Sequence, residues 1–108
     1  MAKVFVPQLP TRYDPKTKIH IPTLDITQAT AYGEIVIMRN PLMTREDALH
    51  NIRSQARAEI APDDCVMAIG DVVILACVIM EAIKVNGCVN VLRWDRARQS
   101  YTKEEIRE

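Results

Sequence analysis

The chain has 108 residues, of which 48% are apolar and 26% charged, a composition typical of a small globular domain rather than of a disordered segment. Its 14 basic and 14 acidic residues cancel, which argues against nucleic acid as a partner because phosphate binding needs a basic surface. The longest apolar stretch is shorter than the roughly 20 residues that span a bilayer, and no apolar leader follows Met1, so we expect a soluble intracellular protein without membrane contact.

The N-terminal third predicts one strand and then an arm. The segment KVFVPQ (3–8) is rich in strand-forming residues and is stopped by prolines. Residues 9–24 contain three prolines and show no sustained period, which predicts an extended arm with at most a brief edge strand at KIHIP. Asp25 is expected to cap a short helix, ITQATAY, that ends at Gly33.

Strands and helices alternate in the middle of the chain. EIVIMRN (34–40) predicts a strand, and Thr44 begins a helix through a Thr-x-x-Asp pattern. That helix places Arg53 and Arg57 on a side expected to be solvated. The apolar run CVMAIG (65–70) is typical of a central strand that is covered on both faces.

The C-terminal part predicts a second helix and a hairpin. Asp71 is the expected N-cap of a helix that stops at Asn86-Gly87. CVNVLRW then predicts a strand, DRARQ a turn and SYTKEEI an antiparallel partner. The order of elements predicts an α/β fold in a single small domain, residues 1–108, with a mainly parallel sheet of about five strands, two main helices, an extended N-terminal arm (9–24) and a C-terminal β-hairpin.

The second helix is apolar around its whole circumference, and such a helix is normally buried on all sides. Glu81 should mark its solvent side, but the residues around Glu81 are themselves apolar. We therefore expect this side to be covered by the arm, by a second copy of the chain, or by a membrane. A membrane is the weakest of the three, because the helix lacks the basic flank that membrane-surface helices carry. A lysine at position 78 is expected to break an oligomer without unfolding the domain. The predicted interface between copies consists of Ile74, Cys77, Val78, Glu81 and Val85.

A second set of candidate residues lies at the ends of the strands. In an open parallel sheet, ligands bind outside the carboxyl ends of the strands. The side chains there suit an anionic or nucleotide-like ligand, and the candidates are Arg12, Arg39, Asn40, Gly70, Asp71, Trp94, Asp95 and Arg96. The alternative is structural, with Asp71 as a helix cap, Asn40 and Asp95 as turn residues, and Trp94 as a packing residue.

The sequence offers little for catalysis. His20 and His50 have no Cys, Asp or Glu at metal-ligand spacing, and nucleophile motifs are absent. The odd number of cysteines in apolar stretches predicts reduced thiols. We therefore predict no metal, no cofactor and no enzymatic activity.

Three stretches of the chain carry a resemblance. They are VFVPQLPTRYDPKTK with PTLDITQATAYGE, then MAIGD before the apolar helix, and finally VLRWDRARQSY. In these stretches the chain resembles small proteins, with no assigned activity, that tailed phages and prophages encode. The resemblance implies a viral protein in the host cytoplasm or in the virion. The leading hypothesis is a non-enzymatic binding protein that self-associates and contacts a host or phage protein. A small-ligand or nucleotide-binding domain and a virion component are the alternatives.

Overall fold

The structure is a computed structural model that describes residues 2–39 and 42–108. Its helices are α1 (Arg45–Glu59), α2 (Val72–Asn86) and a 3-10 helix (Thr27–Tyr32). Its strands are β1 (Lys3–Val6), β2 (Thr11–Asp14), β3 (Ile19–Pro22), β4 (Glu34–Ile37), β5 (Cys65–Met67), β6 (Cys88–Asp95) and β7 (Ser100–Arg107).

Within the described ranges, five strands form the main sheet in the order β4-β1-β5-β6-β7. The first four are parallel to one another, and β7 runs antiparallel to β6. The predicted fold class is therefore confirmed, including the C-terminal hairpin. Asn40 of the predicted ligand set lies outside the described residues.

The central strand β1 shows why its sequence is apolar without alternation. Phe5 pairs with Val36 of β4 and with Val66 of β5, and all the side chains of Val4 to Val6 are fully buried. Successive side chains of a strand point to opposite faces. Phe5 joins the core under α1 and α2, while Val4 and Val6 join a second core on the other face. The sheet is thus covered on both sides.

Both long helices begin and end close to where the sequence predicts. The Thr44 hydroxyl accepts a hydrogen bond from the Asp47 N–H at 3.2 Å and caps α1. The Asp71 carboxylate accepts from the Val73 N–H at 2.8 Å and caps α2. Gly87 ends α2 in the left-handed conformation, with a φ of 76°, which glycine adopts without steric cost.

The 3-10 helix covers the opposite face of the sheet, where Ala29 is fully buried. The Asp25 carboxylate accepts from the N–H and the hydroxyl of Thr27, so the predicted capping aspartate holds the start of this turn. At the other end, a Cβ on Gly33 would lie only 2.5 Å from the Ala2 carbonyl oxygen. Only glycine allows the chain to enter β4 so close to the start of β1.

The arm is not a single extended segment, but the brief strand expected at KIHIP is present as β3. Residues 11–22 form a separate antiparallel hairpin of β2 and β3. The turn is built by Asp14, whose carboxylate accepts from the Lys16 N–H and the Thr17 hydroxyl at 3.0 Å each. Lys18 closes the turn with a φ of 58°. Each strand has four residues, too few for a period to be visible, so the Asp-Pro-Lys-Thr-Lys turn is the local signal.

Ile74 and Val78 are fully buried within one chain, in a core that contains no residue of the arm, so the arm is not the predicted cover and these two side chains need no second copy. The cover is α1, and residues of both helices form one core. Ala48 and Ala56 of α1 are fully buried in that core, and their small side chains allow the two helices to approach closely. No helix in residues 2–39 and 42–108 is both long enough and apolar enough to cross a membrane.

Candidate functional site

The carboxyl ends of the parallel strands lie at one edge of the sheet, and two cavities open there. The larger has a volume of about 480 Å³, within the range of roughly 300–1,000 Å³ typical of small-molecule sites. We call it the aromatic pocket. It is lined by Leu24, Asp25, Met67, Ala68, Ile69, Arg93, Trp94, Arg96 and Tyr101.

The aromatic wall of this pocket is a cross-strand pair. Trp94 of β6 lies opposite Tyr101 of β7, with ring centroids 5.0 Å apart and planes at 72°. The Tyr101 hydroxyl lies 3.9 Å from the Met67 sulfur, and burial raises the pKa of Tyr101. The Tyr32 hydroxyl donates to the Tyr101 carbonyl at 3.2 Å. The pair is therefore held in place from two sides and offers an apolar aromatic surface with polar edges.

The charges around the aromatic pocket are few. The side-chain hydrogen bond from Thr27 lowers the pKa of Asp25, so its carboxylate is ionised at neutral pH. Arg93 is paired with Glu104, Nε to Oε2 at 3.1 Å. Arg96 has no ion pair in the described part of the chain. The pocket thus presents one carboxylate and one unpaired guanidinium beside an aromatic surface, which suits a planar polar ligand.

The smaller cavity lies between the carboxyl ends of β1 and β4 and the hairpin. Its volume is about 210 Å³, and we call it the arginine pocket. The sequence singled out only one of its side chains, Arg39. The pocket is lined by Gln8, Leu9, Thr11, Tyr13, His20 and Arg39.

Gly70 and Asp71 line neither pocket. Besides capping α2, the Asp71 carboxylate pairs with Arg45, Oδ2 to Nε at 2.9 Å, and this hydrogen bond lowers its pKa. The Asp71 N–H donates to the Gln8 Oε1 at 2.8 Å. A Cβ on Gly70, whose φ is 89°, would lie 2.6 Å from the Gln8 carbonyl oxygen. Gln8 therefore fills the crevice between β1 and β5, and both residues have structural roles.

The other residues predicted at the carboxyl edge of the sheet are either structural or part of a pocket. The Asp95 carboxylate accepts from the N–H groups of Ala97 and Arg98, at 3.0 and 3.3 Å, and so holds the hairpin turn. Arg12 is exposed and its cross-strand partner is Ile21. Of the predicted set, Trp94 and Arg96 line the aromatic pocket and Arg39 the arginine pocket.

Sequence reasoning missed the partners of these side chains. Tyr101 could have been found, because a turn over DRARQ pairs it with Trp94. Tyr13 and His20 could not, since they meet only in a hairpin that was interpreted as an arm. Among the described residues, no group of three or more His, Cys, Asp or Glu side chains is placed to hold a metal ion.

The predicted interface of α2 lies largely inside the protein. Ile74 and Val78 are 0% exposed and Glu81 is 1% exposed; Cys77 is half-buried and Val85 is exposed. These first three side chains are therefore not available to a second copy of the folded chain.

Another side of α2 faces solvent instead. Val72 is 75% exposed, Val73 48% and Met80 53%, and Ala76 between them is also exposed. At about 100° per residue these four positions fall within an arc of about 100°. We call them the outer face of α2.

Glu81 is buried because α1 supplies its counter-charges. The Arg53 Nη2 donates to Oε1 at 3.0 Å, and the Arg57 Nε lies 3.2 Å from Oε2. Lys84 adds a third cation, with Nζ 3.9 Å from Oε1. The hydrogen bond from Arg53 holds the pKa of Glu81 below its ordinary value. The side of α1 expected to be solvated is thus partly an ion-pair surface against α2.

The comparisons with known proteins give one match. A family model described as Phage Pam3 gp32-like protein matches residues 2–108. No curated protein and no solved structure matches the chain. The match agrees with the resemblance to phage proteins in the three stretches of sequence. The chain belongs to the Phage Pam3 gp32-like protein family.

Proposed function

We propose that this phage protein is a non-enzymatic binding protein that self-associates through the outer face of α2. The observation that supports this function is the exposure of Val72, Val73 and Met80 on one side of a helix. An apolar patch on the surface of a soluble protein is often functional, and interaction sites are among its commonest uses. The surface differs from the predicted one, but it lies on the same helix.

The outer face of α2 has little that favours water. The nearest charged side chain is Lys84, about 20° beyond Val73 on the helix. Ile79 lies about 20° before Val72 and flanks this face, whereas Ile83 falls within its arc; both side chains are only half-buried. A large apolar side chain gains roughly 1.5–3 kcal/mol when it is fully buried, so covering three of them offsets a substantial part of the cost of association.

The occupant that fits this face is a second copy of the chain. An α-helix of 15 residues is about 22 Å long, so its outer face is smaller than the roughly 800 Å² per partner of a standard interface. That area predicts a weak dimer. An antiparallel pair of α2 helices also opposes the helix dipoles favourably.

The experiment is a measurement of molar mass by light scattering over a concentration series from low micromolar to near millimolar. We expect the mass to rise from one chain to two. Met80→Glu places a charge on the outer face of α2 and should keep the protein monomeric. Ser54→Glu is the matched control, because it adds the same charge to an exposed position of α1.

The result is decisive in either direction. A wild-type protein that stays monomeric throughout the series contradicts self-association. Equal dimer formation by Met80→Glu and the wild type contradicts the assignment to α2. Both variants should unfold at the same temperature as the wild type, since both positions are exposed.

A second candidate function is supported by the aromatic pocket, which suits a small planar ligand such as a mononucleotide. Trp94 is the single tryptophan of the chain, so tryptophan fluorescence, excited selectively over that of the three tyrosines, reports on this pocket. Titration with mononucleotides should quench it, and Arg96→Gln should weaken the binding. An unchanged spectrum at millimolar nucleotide would rule the pocket out as a nucleotide site.

Two parts of the leading hypothesis remain predictions about partners and location. A host or phage protein partner should appear in affinity capture of the tagged protein from infected cells. Presence in the virion is tested by mass spectrometry of purified particles, where absence contradicts a structural role.

A further inference from the structure

Arg39 stands out among the side chains at the carboxyl edge. It follows β4, and its Nε atom is buried without a hydrogen-bond partner in the described part of the chain. Arginine carries its charge at any ordinary pH, and a buried charged donor without an acceptor is unfavourable. Such a group in a folded protein calls for an acceptor that comes from outside the chain.

The cavity beside Arg39 is rich in hydrogen-bond donors. The arginine pocket contains the hydroxyls of Thr11 and Tyr13, the ring of His20 and the amide of Gln8, and no carboxylate lines it. The Oε1 atom of Gln8 already accepts from Asp71, which leaves the amide N–H₂ as a donor. The lining therefore carries a net positive charge and offers donors on several sides.

The hairpin explains how these donors come together. Tyr13 pairs with His20 across β2 and β3, with ring centroids 5.5 Å apart, so the two rings share one face of the hairpin. Thr11 is two residues before Tyr13 and lies on the same face. Arg12 lies on the opposite face. The fold of the arm thus brings a set of hydrogen-bonding side chains over the guanidinium at the end of β4.

We propose that the arginine pocket binds a phosphoryl group, with Arg39 as the charged donor and Thr11, Tyr13, His20 and Gln8 around it. Guanidinium and phosphate oxygens form strong charge-assisted hydrogen bonds. The cavity of about 210 Å³ is several times the roughly 30 Å³ share of a water molecule, so it admits the group with a small substituent. The site is independent of the outer face of α2 and of the aromatic pocket.

The test is titration of the ¹⁵N-labelled protein with inorganic phosphate at constant ionic strength, followed by NMR. We expect shifts concentrated at Gln8, Thr11, Tyr13, His20 and Arg39. A parallel titration with glycerol 3-phosphate separates free phosphate from a phosphomonoester as the preferred form. The ligand that binds more tightly shows whether the site takes its phosphoryl group from free phosphate or from a phosphomonoester.

Arg39→Gln should weaken phosphate binding about tenfold or more, because the charged donor is lost. Arg12→Gln is the matched control, since it removes the same charge from the other face of the hairpin and should bind like the wild type. Absence of shifts up to tens of millimolar phosphate overturns the proposal, as does equal weakening by both variants. If Arg39→Gln fails to fold, the residues that shift in the wild type decide the matter: shifts outside the pocket overturn the site.

Discussion

The two long helices have the same length and cover the same face of the sheet, but they expose different kinds of side chain to solvent. Both α1 and α2 span 15 residues and bury a stripe in one core. The exposed side of α1 carries polar residues such as Glu46, His50 and Ser54, whereas α2 exposes Val72 and Met80. The same sheet supports both, so the sheet does not account for the difference. The exposed valine and methionine side chains of α2 are the feature on which the proposed self-association rests.

The contact between the helices also shows when a charged side chain does not mark the solvent side of a helix. The sequence places a single glutamate in the apolar stretch of α2, which suggests a solvent side at Glu81. The structure buries Glu81 because Arg53 and Arg57 of α1 lie over it. A lone acid in an apolar helix therefore indicates a solvent side only if the neighbouring helix carries no bases at matching positions.

The largest expected effect separates the two sides of α2. Val78→Lys should destabilise the protein by about 4 kcal/mol or more, contrary to the expectation from the sequence that the domain would stay folded, because it places a charge in a core position that is fully buried. Val72→Lys, on the outer face of the same helix, should change stability by no more than about 0.5 kcal/mol. Urea denaturation followed by circular dichroism measures both. Equal stability of the two variants would contradict the orientation of α2.

The next effect concerns the contact between α1 and α2 and depends on pH. Glu81→Gln removes the charge that Arg53, Arg57 and Lys84 surround, so the variant should be less stable at neutral pH. The pKa of Glu81 is lowered in the folded state by the hydrogen bond from Arg53. Its contribution is therefore complete above the ordinary pKa of about 4.3 and is lost as the pH falls through the lowered value.

The measurement is the unfolding temperature of both proteins from about pH 7 to about pH 3. The gap between wild type and variant should be widest near neutrality and should close in acid. Asp71 and Asp25 also have lowered pKa values, but they are present in both proteins, so the difference isolates Glu81. A gap that stays constant down to the lowest pH contradicts the ion-pair interpretation.

The sequence was sufficient for features that depend on neighbouring residues. The caps at Thr44 and Asp71, the stop at Gly87 and the parallel order of the strands follow from local patterns and from the alternation of elements. The hairpin of β2 and β3 did not, because strands of four residues with prolines show no period. The packing of α1 on α2 was missed for another reason: it joins residues 28 positions apart, and no single helical pattern contains it.

The candidate site could likewise be predicted only in its local features. Trp94, Arg96 and Arg39 were found because each stands at a strand end, where the topology alone places it at the carboxyl edge. Their neighbours in the pockets come from distant parts of the chain, namely the 24–25 loop and the hairpin. The division of one edge into two pockets depends on Gln8, which occupies the crevice between them beside Gly70.

A smaller effect compares how the helices end. Gly87 closes α2 in a left-handed conformation, and a Cβ there would meet nothing within 4 Å. Gly87→Ala should therefore cost only the backbone strain, about 1 kcal/mol. Gly87→Asn should cost less, because asparagine tolerates this conformation better. The helix α1 ends at Ile60 with an extended backbone, so it has no such position. Denaturation midpoints of the two variants test the order, and a larger loss for asparagine would contradict it.

The last effect, of about the same size, compares how the helices begin. Thr44→Ala removes the side-chain acceptor for the Asp47 N–H and should cost about 1 kcal/mol, while Thr44→Ser keeps the hydroxyl and should cost little. In α2 the cap is stronger, because the Asp71 carboxylate accepts from both Val73 and Ile74 and is also paired with Arg45. Since Arg45 is the first residue of α1, the start of one helix is tied to the start of the other. Loss of the Thr44 cap should therefore fray the first turn of α1 and expose Asp71, which amide hydrogen exchange would detect as faster exchange at Val73 as well as at Asp47. Faster exchange at Asp47 alone would mean that the two helix starts are independent.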